Sequence, residues 1–203
     1  MSVEIKISKS PINYENAMEI LEKRVNAVKN REASDLLWIL EHPKTYTKGI
    51  RGSENDIIDK QIKVISTNRG GKITLHNPGQ KIIYFVIDLN KRKRDIRKFV
   101  QFIEQSIIQF LKLYNIQGKT NKKNIGIWVK KKKIAAIGIR IKRWIAYHGC
   151  SININNNLKD YLRINPCGLK NQDVTSVANI TRRKLVNIDE KIIKIFIENL
   201  KDI

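Results

Sequence analysis

Arg69-Gly70-Gly71-Lys72-Ile73-Thr74-Leu75-His76-Asn77-Pro78-Gly79-Gln80 sets two adjacent glycines beside an arginine, then a histidine and a Pro-Gly turn. Adjacent glycines lack a Cβ and tolerate positive φ, so backbone can approach a ligand closely there. The planar arginine fork beside them suits a carboxylate, a phosphate or a polarised carbonyl. By residue type alone the stretch is either such a binding loop or an ordinary glycine-rich turn. On its N-terminal side, Ile62 to Ile65 reads as a strand leading into the turn. On its C-terminal side, Ile82-Ile83-Tyr84-Phe85-Val86-Ile87 is apolar at both parities, as expected of a central strand covered on both faces.

Further out, Val3 to Ile7 reads as a short strand and Leu36 to Leu40 as a buried one, closed by Glu41-His42-Pro43 before a polar loop. Between them Ala17, Leu21, Val25 and Val28 recur at helical spacing, predicting a helix from Pro11 to about Arg31 with proline in its first turn. A second helix is expected on the stripe Ile96, Val100, Ile103, Ile107, Phe110 and Tyr114, with Asp95 in its first turn. Ile125 to Val129 and Ile134 to Ile141 read as a hairpin across the lysine run, and Ser151 to Ile154 as another strand. Ile192, Ile193, Phe196, Ile197 and Leu200 mark a C-terminal helix. The expectation is a single α+β domain over residues 1–203, a mixed β-sheet with covering helices.

Hydrophobic content of 41% and charged content of 29% are ordinary for a soluble globular protein. No apolar run approaches the roughly 18 residues of a membrane span, and the N-terminus lacks the apolar core of a secretory signal. With two cysteines and no CxxC pair, a reduced, cytoplasmic protein is expected. The net charge of +21 points either to an acidic partner or to a lysine-solvated surface. Basic runs at Lys91-Arg92-Lys93-Arg94, Lys130 to Lys133 and Arg182-Arg183-Lys184 are scattered as on a folded surface. The chain has neither GxxxxGK[ST] nor GxGxxG, and His42, His76 and His148 lack HxH or HExxH spacing. No metal and no cofactor are expected.

Two residues could carry chemistry. Cys167 stands between Pro166 and Gly168, so it is either a nucleophile on a tight turn or a small apolar filler. Lys133 shares strand parity with Ile137, Ile139 and Ile141, which turns it to the apolar side if no bulge intervenes. A buried lysine needs a partner, and activation of a thiol would supply one. Cys150, directly after His148-Gly149, reads as filler.

Five motifs in order, over roughly two thirds of the chain from Leu36 to Val177, resemble the lipoyl(octanoyl) transferase family. They are Glu41-His42-Pro43 with Tyr46-Thr47-Lys48-Gly49, the Arg69 to Gln80 stretch, Lys133-Ile134-Ala135-Ala136-Ile137-Gly138, Tyr147-His148-Gly149 and Pro166-Cys167-Gly168. Departures are Leu75 in place of an aromatic, Asn77 in place of a common glycine, and Cys150 in place of an aromatic or aliphatic residue. The resemblance implies the fold of biotin and lipoate protein ligases, with Cys167 and Lys133 catalytic. It implies substrate contacts from Arg69, Gly70, Gly71, Lys72, Ile73, Thr74, Leu75 and His76, from Ala136, Ile137 and Gly138, and from Gly149, Cys150 and Ser151.

The implied reaction moves an octanoyl group from octanoyl-acyl carrier protein, through an acyl-cysteine thioester, to a lysine of a lipoyl-domain protein. Acceptors would be the lipoyl domains of 2-oxoacid dehydrogenase complexes and the glycine cleavage H protein, and a monomer is the expectation. No ATP is needed, because a thioester is already activated. The competing readings are an ATP-dependent lipoate-protein ligase of the same fold and a basic nucleic-acid-binding protein. The first would need no nucleophilic cysteine, and the second rests on charge alone, with neither nucleic acid nor membrane expected as a partner.

Overall fold

The computed structural model describes residues 2–121, 124–166 and 174–203. Along the chain run β1 (Val3–Ile7), α1 (Tyr14–Lys29), β2 (Asp35–Leu40), β3 (Thr45–Lys48), β4 (Val64–Ser66), β5 (Ile73–His76) and β6 (Gln80–Asp88). After these come α2 (Ile96–Lys112), β7 (Lys119–Thr120), β8 (Ile127–Val129), β9 (Lys132–Lys142), β10 (Ile145–Asn153) and α3 (Ile188–Leu200). A seven-stranded sheet has the order β1-β2-β6-β10-β9-β8-β7, and a three-stranded sheet the order β4-β3-β5. The large sheet is mixed, since β1 joins β2 in parallel while β2, β6, β10 and β9 pair antiparallel.

β2 and β6 are covered on both faces, which is why their sequences are apolar at both parities. On one face Leu37, Ile39, Ile83 and Phe85 meet Phe99 and Phe102 of α2 and Phe196 of α3. On the other, Leu36, Trp38, Tyr84 and Val86 meet Ala17, Leu21, Val25 and Val28 of α1. Each fully buried large apolar side chain of this set contributes about 1.5–3 kcal/mol relative to exposure.

The helix boundaries follow their caps. Asn13, not Pro11, starts α1, its side chain accepting from the backbone N–H groups of Glu15 and Asn16. Asp95 is likewise the N-cap of α2, accepting from Lys98 N at 3.0 Å. The buried stripe of α2 is Phe99, Phe102, Ile103, Ile107 and Phe110. Ile96, in the first turn, stays exposed.

Three expectations need correction. The polar loop after His42 and the glycine-rich stretch contain strands β3 and β5, which with β4 form the second sheet. The strand expected at Ile62 to Ile65 is shorter and later, as β4. β10 begins at Ile145 rather than Ser151. There Gly149 is no strand break: a Cβ on it would stand 1.8 Å from the carbonyl oxygen of Ile83, so glycine lets β10 and β6 pair closely. Arg143 (φ 52°) and Trp144 (φ 62°) make the two-residue turn from β9 into β10.

Candidate active site

The small sheet lies over the large one, and between them is a cavity of about 390 Å³. Arg69, Gly71, Lys72, Ile73, Thr74 and His76 line it from the small sheet and its loop. Ala136, Ile137 and Gly138 of β9 and Gly149, Cys150 and Ser151 of β10 line it from below, with Lys133 beside them. Folding thus brings three sequence-distant groups to one space. Arg51, Ile82, Tyr84, Asn124, Ile125 and His148 also line it, although the motif-by-motif reading of contacts did not include them.

Two expected contact residues do not line the cavity. Leu75 is turned into the small core with Tyr46, Ile73 and Tyr161. Gly70 lies on β9, its N–H donating to Ile139 O at 3.1 Å. A Cβ at Gly70 would meet that same oxygen at 2.8 Å, and one at Gly138 would meet Gly70 O at 3.0 Å. The glycines therefore serve backbone-to-backbone approach between loop and sheet.

Arg69 is committed to the same construction. Its guanidinium donates to the carbonyl of Gly70 at 2.9 Å, and to the carbonyl and hydroxyl oxygens of Thr47 at 2.9 and 2.8 Å. Those bonds pin the glycine loop to β3. The fork that the sequence offers to a ligand anion is thus used in holding the cavity wall.

The histidines form a neutral group beneath the wall. His42 Nδ1 is 2.6 Å from Ile12 O and therefore carries the proton, leaving Nε2 to accept from the Tyr84 hydroxyl at 2.8 Å. His76 Nδ1 donates to Gln80 Oε1 at 2.8 Å, and Gln80 Nε2 in turn donates to Asn153 Oδ1 at 2.9 Å. His148 donates from Nε2 to Asn68 Oδ1 at 2.6 Å. Burial pushes these imidazoles down, with His42 and then Arg69 adding to it for His76 and Arg69 and Arg140 for His148, to about 4 for His42 and about 3 for the other two. At neutral pH all three are uncharged hydrogen-bonding groups.

Burial pushes the Cys150 thiol up, so it remains protonated and unreactive although it lines the cavity. Cys167 and Gly168 lie outside the described residues. The flanking chain is anchored on both sides. Asn165 N donates to Asp56 O at 2.7 Å, and Ile164 bridges to Ile57. Val174 bridges to Lys133 in parallel, and Thr175 N donates to Lys133 O at 2.9 Å.

Lys133 is buried, 6% exposed, and reaches the cavity by a route that parity does not describe. Ile127 pairs with Ala135 but Trp128 with Lys133, so β9 has one residue more than β8 at this step. That bulge falls at Ile134 and breaks the simple alternation with Ile137, Ile139 and Ile141. Lys133 Nζ donates to Ile125 O at 2.9 Å.

A large mixed sheet and a small sheet thus close on a partly open cavity that Gly71, Gly138 and Gly149 help to line. The chain belongs to the lipoyl protein ligase A/B catalytic domain family, whose model matches residues 13–202. It is 41% identical over 183 residues to the octanoyltransferase of Wolbachia sp. subsp. Brugia malayi (strain TRS), covering 88% of this chain and 89% of that one. The octanoyltransferase of Parvibaculum lavamentivorans is 41% identical over 186 residues, covering 87% and 83%.

Among solved structures, the bi-partite lipoate protein ligase from Thermoplasma acidophilum has a TM-score of 0.76 at 13% identity, covering 99% of this chain and 84% of that one. Biotin protein ligase from Aquifex aeolicus has a TM-score of 0.54 at 14% identity, covering 98% and 70%. Both share the fold, as the motifs implied. Among the described residues no helix is long and apolar enough to cross a membrane.

Proposed function

We propose that this chain is an octanoyltransferase of protein lipoylation, acting as one cytoplasmic catalytic domain through the pair Cys167 and Lys133. The observation that carries the reading is the placement of Lys133. Its Nζ is held at a cavity wall, while its own backbone pairs with Val174 and Thr175, shortly after Cys167 in the sequence. The cavity volume of about 390 Å³ lies within the range of about 300–1,000 Å³ typical of small-ligand sites. Ile73, Ile82, Ala136 and Ile137 give it apolar wall for an acyl chain.

In the resting pair the Lys133 ammonium stabilises the Cys167 thiolate. The thiolate attacks the thioester carbonyl of octanoyl-acyl carrier protein. As the tetrahedral adduct collapses, the carrier sulfur leaves and takes a proton from Lys133, giving free carrier thiol and an acyl-cysteine thioester. The neutral ε-amine of the acceptor lysine then attacks that thioester. Its excess proton passes to Lys133, Cys167 leaves as thiolate, and an octanoyl amide remains. The acceptors are lipoyl domains of 2-oxoacid dehydrogenase complexes and the glycine cleavage H protein.

The test is intact mass after mixing the protein with octanoyl-acyl carrier protein in ATP-free buffer. The expected result is one octanoyl adduct, discharged by an acceptor lipoyl domain. Modification that requires ATP and free fatty acid would instead establish a ligase.

A further inference from the structure

The buried Lys133 ammonium needs groups that hold it in place. Three neighbours on β8 and the turn before it supply the hold. The Ile125 carbonyl accepts from Nζ at 2.9 Å. Gly126, at φ 135°, removes the side chain that would occupy the lysine's path, since a Cβ there would stand 2.5 Å from Lys133 Cε. The third is Trp128, directly across the ladder from Lys133, with Nζ 5.4 Å from its ring centroid. That distance is within the roughly 6 Å reach of cation–π attraction, which strengthens where water is excluded.

The indole is itself fixed. Trp128 is buried, and its Nε1–H donates to Asn124 O at 3.0 Å. A clamped ring presents its negative face to a fixed point and loses no rotamer freedom when the ammonium docks. The bulge at Ile134 matters here too, because it is what sets Lys133 and Trp128 opposite one another.

We propose that Trp128 is the positioning residue for Lys133, its indole face and the Ile125 carbonyl together holding the lysine ammonium beside the nucleophilic thiol. The inference rests on the Cys167–Lys133 pairing above. Trp128 acts through Lys133 alone, as a positioning residue.

The experiment measures the rate of Cys167 alkylation by iodoacetamide against pH, with modified sites mapped by mass spectrometry. It uses the full chain and a four-way set: unaltered protein, Trp128→Leu, Lys133→Ala and the double variant. Thermal unfolding verifies each fold. Trp128→Leu is expected to slow alkylation at pH 7 about thirtyfold, the size of one buried cation–π contact of roughly 2 kcal/mol. In the Lys133→Ala background it is expected to change nothing further, and Trp128→Phe is expected to restore most of the rate. Where leucine does not fold, Trp128→Met fills the space without a π face and reads the same quantity.

Equal slowing by Trp128→Leu in both backgrounds overturns the proposal, because the effect then bypasses Lys133. So does an unchanged rate with Trp128→Leu while Lys133→Ala slows the reaction. If Lys133→Ala itself leaves the pH profile unmoved, the thiolate pairing fails first and the role of Trp128 falls with it.

Discussion

Gly126, just before β8, and Lys133 of β9 are matched: the lysine stem passes where a Cβ on the glycine would lie, 2.5 Å from Cε and 3.2 Å from Nζ. The fit ties a backbone with φ of 135° to the location of one ammonium group. Gly126→Ala should therefore cost about 1–3 kcal/mol in stability from the backbone alone. It should also displace Lys133 and lower octanoyl transfer by far more than the lost folded fraction. Denaturant unfolding beside turnover separates the two, and turnover that tracks folded fraction alone would contradict the match.

The two cysteines should behave oppositely. The Cys150 thiol is buried and pushed up, so it resists alkylation at neutral pH. Cys167→Ser should abolish the octanoyl adduct, whereas Cys150→Ser should retain it. An octanoyl group mapped to Cys150 would refute the assignment.

The histidines set the acid limb of stability. Unfolded histidine takes up a proton near pH 6.5, but folded His42 does so only near 4, and His76 and His148 only near 3. Between those values the unfolded chain binds more protons, so stability should fall as pH drops from about 6.5. Each group contributes a slope of at most roughly 1.4 kcal/mol per pH unit. Above pH 6.5 the three should add no slope. Imidazole C–H resonances checked by NMR should stay at neutral-form shifts at pH 5, and a resonance titrating near 6.5 would remove its residue from this account.

The surplus charge of +21 should act on encounter. Attraction between exposed charges fades over a Debye length of about 8 Å at physiological salt. Raising salt should lower kcat/KM for the acidic octanoyl-acyl carrier protein far more than for a small neutral octanoyl thioester. Parallel curves for the two donors, with folding verified at each salt concentration, would leave the charge as a solvated surface only.

Much of the scaffold was legible because it depends on local periodicity. The Ala17–Leu21–Val25–Val28 stripe, the two-sided apolar run of β6 and the hairpin around the lysine run follow from side-chain direction within one element. Helix starts were misplaced where a cap outweighed a propensity: Asn13 offers a side-chain acceptor that Pro11 lacks. Of the small sheet only β4 was anticipated, because β3 and β5 are four residues long, too short for alternation to stand out from loop.

Residue type and spacing determined the covering helices and the central strand, because both are properties of one segment, and singled out the glycines beside Arg69, Lys133 and Cys167. The contacts of Arg69 to His76, Ala136 to Gly138 and Gly149 to Ser151 came from the order of motifs that resembles a family. Tertiary structure alone decided what those residues do. Arg69 binds Thr47 and Gly70 instead of presenting a free fork, and Gly70 and Gly138 admit backbone to backbone. Lys133 reaches the cavity through a bulge, a carbonyl and an indole face. Each of these depends on which distant backbone arrives within about 3 Å of a donor, and that is settled only when the two sheets close on one another.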